Sequence, residues 1–410
     1  MSQELLNLGY LYVSDFLRPN EGPRAEKYEL KLILDSDGVA RLEKMAPHEA
    51  MWGERYWYKS SINKTMVAAL KNVVNSITDI YKLNQEDLWI DIASNDLTLL
   101  GFVSQNLVRV GIDPVKDPTF LINKDAATNL VIQDYFTAEV FKKSKYGNQK
   151  AKVITCISCF YDIEDNNKFL QDVHDVLDDN GLFVLQLSYT PLMIEQMAYE
   201  NICHEHCRYY SLFNLKAICE RNGFAVMDCT LNDVNAGSMR VFLMKINSNK
   251  KYFSTQPFRD VAKFRVDSLL EYEKTLKLDQ IETWQNFLLK INDLKDKVIT
   301  FVKSEKEKGK VIYGYGASTK FNTTLQYFNL DNNLITKIAD RSSAKWGLKT
   351  VGTNIPICSE EEMRLDKPDY LFLGPWHFIN EFIEREQEYL QKGGKFIVSA
   401  PRFEIISVTE

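Results

Sequence analysis

The sequence predicts an α/β protein with a central domain built on a seven-stranded, largely parallel sheet. A C-terminal α/β nucleotide-binding-like domain follows it, and a small irregular N-terminal module precedes it. Three observations carry this. From Trp89 to Ile246 short apolar runs alternate with longer polar or helical segments, the pattern of successive βαβ units. Residues 254–309 turn to Lys, Glu, Asp and Leu, with Phe287, Ile291, Leu294, Val298 and Phe301 spaced by four, three, four and three, the period of one helix face. After Lys308-Gly309 the alternation of strands and helices begins again.

The first ~70 residues are aromatic-rich and irregular, with Pro19-Asn20-Glu21-Gly22-Pro23 as a loop. In the central array the strand candidates are Leu88–Ala93, Leu107–Ile112, Leu130–Gln133, Lys152–Ile157, Gly181–Leu187, Phe224–Thr230 and Ser238–Lys245. Helical stretches at Asp165–Leu177 and Leu212–Asn222 separate some of them. Only Asn232–Gly237 joins the last two runs, too short for a parallel crossover, so these two pair antiparallel. Lys310–Tyr315, Leu334–Asp340, Asp369–Leu373 and Lys395–Val398 are the strand candidates of the C-terminal array. The expected division is 1–70 for the N-terminal module, 71–250 for the central domain, 251–309 for a helical connector and 310–410 for the C-terminal domain.

Four hundred and ten residues suit two to three domains at roughly 150 residues each. Fifty Lys+Arg against 56 Asp+Glu leave a net charge of −6, which provides no basic field for a nucleic-acid backbone. The N-terminus lacks a basic segment followed by an apolar one, so no secretory signal is expected. No apolar run approaches the ~18 residues of a membrane span. The seven cysteines are odd in number and crowd the middle of the chain, unlike a disulfide framework. A cytoplasmic protein acting on a small molecule is the expectation, as a monomer or homodimer.

Six segments carry candidate chemistry. Asp91-Ile92-Ala93-Ser94-Asn95-Asp96 follows one strand, and Gly111-Ile112-Asp113-Pro114 follows the next. In an open parallel sheet ligands bind beyond the carboxyl ends of strands, where an acid can accept hydrogen bonds from ribose hydroxyls; an acid there can equally be only a helix cap. Cys203-His204-Glu205-His206-Cys207 packs two of five histidines around a glutamate, and His206 can serve as a general base tuned by Glu205. The segment follows the fifth strand candidate, which sets it at the sheet's carboxyl edge. Metal-ligand types are present, but the His-Glu-x-x-His spacing is not, and no metal is expected. Cys156-Ile157-Ser158-Cys159 lacks a second pair to complete a zinc site, so buried thiols are expected. Tyr313-Gly314-Tyr315-Gly316-Ala317-Ser318-Thr319-Lys320-Phe321-Asn322 joins a strand to a helix through glycines, a place for an anionic phosphate or only a chain reversal. Asp340-Arg341 ends the next strand, where an acid and a guanidinium can contact ribose or phosphate.

In this order, Ser94-Asn95-Asp96, Gly111-Ile112-Asp113-Pro114, His204-Glu205-His206 with Tyr209-Tyr210-Ser211-Leu212, Gly237-Ser238-Met239-Arg240-Val241, Tyr315-Gly316-Ala317 with Lys320, and Gly352-Thr353-Asn354-Ile355-Pro356-Ile357 resemble the sugar C-methyltransferases of branched deoxysugar biosynthesis. The resemblance spans nearly the whole chain and is weakest before Tyr56. It implies a class I methyltransferase domain, S-adenosylmethionine as cofactor and a nucleotide-linked keto-deoxysugar as substrate. It also implies roles. His206 would be the base and Glu205 its neighbour, with Tyr58 facing the substrate. Asp91, Ala93, Ser94, Asn95, Asp96, Asp113, Pro114 and Phe136 would line the cofactor site. His204, Tyr210, Arg240, Tyr315, Gly316, Lys320, Asn322, Arg341 and Trp376 would bind substrate.

The chain departs from the family pattern at defined places. Leu34-Asp35-Ser36-Asp37-Gly38 stands where the N-terminal zinc-ligand cysteines are usual, so no zinc is expected. Ala93 and Leu97 replace the glycines of Gly-Ser-Asn-Asp-Gly. Asp162 replaces a histidine, Cys203 a tyrosine, and Trp376-His377 stands where Trp-Asn is usual. The expected activity is C-methylation through an enolate; the alternatives are O- or N-methylation of a sugar nucleotide or related small molecule, and a non-catalytic nucleotide-sugar-binding homologue. A dehydrogenase is disfavoured because the Gly-Tyr-Gly turn lacks a third glycine.

Overall fold

The N-terminal segment is more regular than its sequence suggests. Three antiparallel strands form, β1 (Gln3–Leu11), β2 (Tyr28–Leu34) and β3 (Ala40–Leu42), with β2 paired to both neighbours. Two register shifts in the β1–β2 pairing, between Glu4 and Leu6 and between Asn7 and Tyr10, break the alternation by which a strand is recognised. Buried Leu5, Leu6, Leu8 and Leu11 therefore read as an irregular run. At the Asp35–Gly38 position the Asp35 carboxylate closes the β2–β3 turn, accepting hydrogen bonds from the backbone N–H of Asp37 (2.8 Å) and Val39 (2.9 Å).

A computed structural model describes residues 3–22, 24, 26–51, 57–121, 127–249 and 258–407. Pro23 of the N-terminal loop and Tyr56 lie outside the described residues. The described residues form two units, the first drawn from Met1–Gly53, Pro191–Cys207 and Leu278–Glu410, the second from Glu54–Thr190 and Arg208–Lys277.

The second unit holds the seven-stranded sheet. Its strands are β4 (Leu88–Ile92), β5 (Val108–Ile112), β6 (Leu130–Ile132), β7 (Ala151–Ile157), β8 (Leu177–Ser188), β9 (Phe224–Asn232) and β10 (Ser238–Lys245), in the order β9-β10-β8-β7-β4-β5-β6. β10 runs antiparallel to both its neighbours, and the pairings among β8, β7, β4, β5 and β6 are parallel. Helix α1 (Lys64–Ile80) precedes the sheet. Its Met66, Leu70, Val73, Val74 and Ile77 share one face and pack in a core with Trp89, Val153, Leu182, Val184, Phe242 and Met244. Burial of each such side chain contributes about 1.5–3 kcal/mol. Helices α2 (Asn166–Val176) and α3 (Leu212–Arg221) match the expected stretches and are N-capped by the side chains of Asp165 and Ser211.

The helical stretch expected at 254–309 is two helices. α4 (Phe258–Leu276) packs on β9 in the second unit, and α5 (Ile281–Glu307) belongs to the first. Lys277 between them takes a left-handed backbone (φ 51°), which ends α4. Phe287, Ile291, Leu294 and Val298 of α5 are buried as the spacing predicts; Val302 completes the buried face, and Phe301 sits edge-on to Tyr370 with ring centroids 5.3 Å apart.

In the first unit a second sheet follows, with β11 (Ile312–Tyr315), β12 (Ile338–Ala339), β13 (Ile357–Cys358), β14 (Tyr370–Leu373), β15 (Lys395–Val398) and β16 (Glu404–Ile406) in the order β13-β12-β11-β14-β15-β16. All pairings are parallel except that of β16. Helix α6 (Thr319–Tyr327) leaves the glycine turn after β11, capped by Ser318.

Candidate active site

The cofactor candidates gather at the carboxyl ends of β4 and β5 in the second unit. After β4 the chain turns through Ala93 (φ 57°), Asn95 (φ 49°) and Leu97 (φ 65°), three left-handed residues without glycine. The turn is tied down from several sides. Asp113 Oδ2 accepts a hydrogen bond from the Asn95 N–H (2.8 Å), and its Oδ1 accepts one from the Val115 N–H (2.9 Å). Asn95 Oδ1 accepts from the Ser60 N–H (3.0 Å), and its Nδ2 donates to the Tyr58 carbonyl (3.1 Å). Asp96 Oδ2 accepts from the Ser61 N–H (2.9 Å). Asn95 and Asp96 thus hold the Tyr58–Ser61 segment beside the loop, and the Tyr58 residue stays 43% exposed. Ser94 Oγ is buried without a partner, and it lies where a Cβ on Gly111 would be, at 2.8 Å. Phe136 is half-buried, edge-on to Phe169.

Asp91 lies deeper. It is 3% exposed and accepts a hydrogen bond from Thr155 Oγ1 (2.6 Å); burial, against that hydrogen bond, pushes its carboxyl up to about 7. Between about pH 4 and pH 7 the folded state keeps a proton that the unfolded state has lost, so stability falls as pH rises through this window, by about 1.4 kcal/mol per unit. Asp91→Asn keeps an acceptor for Thr155 and cannot ionise. In urea unfolding the variant is expected to gain roughly 2–4 kcal/mol on the wild type between pH 4 and pH 8. Parallel pH profiles for the two proteins would remove Asp91 as the cause.

A second cluster forms within the first unit. The turn at Tyr199–Asn201 and the segment to Cys207 pack beside the start of α6 and the Trp376–Phe378 turn. Hydrogen bonds join the three pieces: Lys320 Nζ donates to Asn201 Oδ1 (2.5 Å), the Tyr199 hydroxyl donates to Thr324 Oγ1 (3.2 Å), and Trp376 Nε1 donates to Glu200 Oε1 (2.7 Å). His206 is 7% exposed. Burial first, then the Lys320 charge, push its imidazole down to about 3, while a hydrogen bond from the ring to the Asn201 backbone opposes them. The ring is therefore neutral across the physiological range, with a ring nitrogen oriented by a backbone carbonyl. Glu205 is buried, its carboxyl raised by desolvation, and Oε2 has no partner. His377, across the cluster, is also pushed down to about 3 by burial and by Lys320.

Other expected site residues are committed elsewhere. His204 Nε2 meets the Tyr28 carbonyl at 3.0 Å. The buried Tyr315 hydroxyl bonds Glu386 (2.5 Å), Glu360 and Arg385. Gly316 (φ 87°) lets the turn pass Pro375, whose Cδ would lie 2.6 Å from a Cβ there. Asn322 Nδ2 donates to the Asp15 carbonyl (3.0 Å), and Arg341 pairs with Glu381 (3.1 Å). Asp340, at the end of β12, accepts from the Ala317 N–H (2.7 Å) and so holds the glycine turn itself. In the second unit Tyr210 accepts from Asn166 Nδ2 (2.6 Å), and buried Arg240, lowered to about 10 by desolvation, bonds Gln186, Asn72 and Ser76. The His-Glu-His segment falls within the first unit. Asn201 and Glu200 join the cluster without having been singled out as site residues, and His377, noted only as a departure from the family pattern, joins it too. All seven cysteines are free thiols. Among the described residues no three metal-capable side chains converge, and no helix is long and apolar enough to cross a membrane.

Strand order β9-β10-β8-β7-β4-β5-β6 with one antiparallel strand, and acids at the ends of β4 and β5, define a class I methyltransferase that uses S-adenosylmethionine. Residues 89–228 match a methyltransferase domain family, and residues 233–401 match the family described as the C-methyltransferase C-terminal domain. The C-methyltransferase NovU of Streptomyces niveus is 28% identical over 353 residues, 86% of this chain and 81% of that one. Solved structures that align with part of the chain include the complex of the Haloferax volcanii Trm112 methyltransferase activator with a putative methyltransferase (TM-score 0.36, 11% identity, 47% of this chain and 98% of that one). Another is the Burkholderia thailandensis 1,6-didemethyltoxoflavin-N1-methyltransferase with S-adenosylhomocysteine (TM-score 0.36, 10% identity, 52% and 97%). The chain is thus similar to C-methyltransferases in both its central and its C-terminal parts.

Proposed function

We propose that the protein methylates carbon next to the ketone of a nucleotide-linked keto-deoxysugar, with His206 as the base. The observation that carries this is a buried, neutral imidazole oriented by the Asn201 backbone beside the ammonium of Lys320. A ketone acidifies its α-carbon. His206 would take that proton, the electron pair would move onto the carbonyl oxygen, and the cation of Lys320 would favour the anion so formed. Ser94, Asp96, Asp113 and Phe136 would hold S-adenosylmethionine in the second unit, and the unpartnered Ser94 hydroxyl fits a polar ligand there. When bound, the cofactor supplies an electrophilic methyl group on sulfur. Tyr58, held by the Asn95 side chain next to that loop, would face the substrate.

A dTDP-4-keto-6-deoxyhexose incubated with the protein in deuterium oxide, without cofactor, tests the reading. Deuterium is expected at the carbon beside the ketone, followed by methylation of the same carbon once cofactor is added. Methyl transfer to oxygen or nitrogen without any exchange would replace the enolate by direct deprotonation of a hydroxyl or ammonium.

A further inference from the structure

His377 is a chemically capable side chain for which the mechanism so far has no use. Its Nδ1 is shut off from solvent and has no hydrogen-bond partner in the protein. An unpaired buried polar atom costs stability, and its retention points to a ligand that completes it. The surroundings say which ligand. The Trp376 indole, one residue earlier, is fixed to Glu200, and Lys320 is fixed to Asn201, so the turn carrying His377 is pinned to the same short segment that leads into His206. Burial first, and then the charge of Lys320, keeps both imidazoles neutral. Two neutral imidazoles flanking one ammonium can divide the labour of making an anion: one accepts a proton, the other donates a hydrogen bond to the charge that results.

We propose that His377 contacts the substrate, donating a hydrogen bond to the oxygen of the acceptor ketone beside Lys320 and holding that oxygen as it becomes an enolate. The proton leaves the α-carbon for His206, the electron pair passes to the oxygen, and His377 keeps its own proton throughout. Attack of the carbon on the sulfonium methyl then restores the ketone and releases S-adenosylhomocysteine. This role rests on the enolate reading above. It also makes His377, at a position where Trp-Asn is usual, a determinant of which keto-sugar is accepted.

The test measures solvent deuterium uptake beside the ketone of a dTDP-4-keto-6-deoxyhexose by wild type, His377→Phe, His377→Asn and His206→Ala, with calorimetric titration of dTDP and of S-adenosylmethionine on each. His377→Phe is expected to exchange about 100-fold more slowly, with both affinities within threefold of wild type. His377→Asn, whose amide still donates, is expected to recover to within tenfold. Wild-type exchange in His377→Phe, or a loss that follows a matching loss of dTDP and cofactor binding, overturns the role. Absence of exchange by the wild type overturns the enolate reading, and this role with it.

Discussion

His206→Ala is expected to lower methyl transfer by about 10³-fold while S-adenosylmethionine binds as in the wild type. Removing the imidazole takes away the proposed proton acceptor but none of the hydrogen bonds that tie Asn95, Asp96 and Asp113 together. Steady-state kinetics with a keto-sugar nucleotide and calorimetry with the cofactor measure the two sides. Turnover at the wild-type rate would remove His206 from the mechanism. A pH signature accompanies the loss. An imidazole lowered to about 3 is neutral well below its ordinary value near 6.5, so kcat/KM of the wild type is expected to show no acid limb centred there. The same shift has a stability consequence. Between about pH 6.5 and pH 3 the unfolded chain takes up a proton that folded His206 refuses, so stability falls on acidification through that window. His206→Ala lacks this term, and its urea midpoint is expected to fall less steeply with acid than that of the wild type.

How far the sequence could lead depended on what each signal encodes. β4, β5, β7 and β10 are buried almost throughout, and a continuous apolar run bounded by turns is visible without knowing the fold. β1 carries as many leucines, but its bulges destroy the period that would announce it. Helix α1, with Met66, Leu70, Val73 and Ile77 on its buried face, runs across residue 70, where the irregular N-terminal module was expected to end. In the site, motif order points to His206, Glu205, Lys320 and Trp376, and all four lie in the first unit. What brings them together is the carboxamide and carbonyl of Asn201 and the carboxylate of Glu200, ordinary residues whose role exists only after folding. Tyr315 shows the converse. Its place in a glycine turn suggested a ligand, yet its hydroxyl is directed into a buried set of Glu360, Arg385 and Glu386. Ala93 and Leu97 adopt a left-handed backbone that a glycine would take freely, at about 1–2 kcal/mol each. Leu97 recovers part of that by burial with Leu99, Leu100 and Val103, so its side chain packs in the core.

Asp113→Ala is expected to weaken S-adenosylmethionine binding by about 10³-fold, and to do so by two routes. A carboxylate at the end of the second strand of such a sheet can accept hydrogen bonds from both ribose hydroxyls, each worth about 1.5–3 kcal/mol when the acceptor is charged. In this chain the carboxylate also receives the N–H groups of Asn95 and Val115, and therefore holds the strained loop in which the unpartnered Ser94 hydroxyl sits. Asp113→Asn separates the routes. The amide oxygen can keep one backbone hydrogen bond and part of the loop geometry, but its NH₂ faces the other N–H and the charge is gone. Burial already holds the Asp113 carboxyl above its ordinary range, so the neutral variant avoids a desolvation cost and is expected to unfold no more easily than the wild type above pH 6. If cofactor affinity in Asp113→Asn drops as far as in Asp113→Ala while its unfolding midpoint stays at the wild-type value, the charge on the ribose is the dominant contribution. If affinity in Asp113→Asn stays within tenfold of wild type and only Asp113→Ala fails, the carboxylate acts chiefly through the loop. Unchanged affinity in both would place the cofactor away from the end of β5.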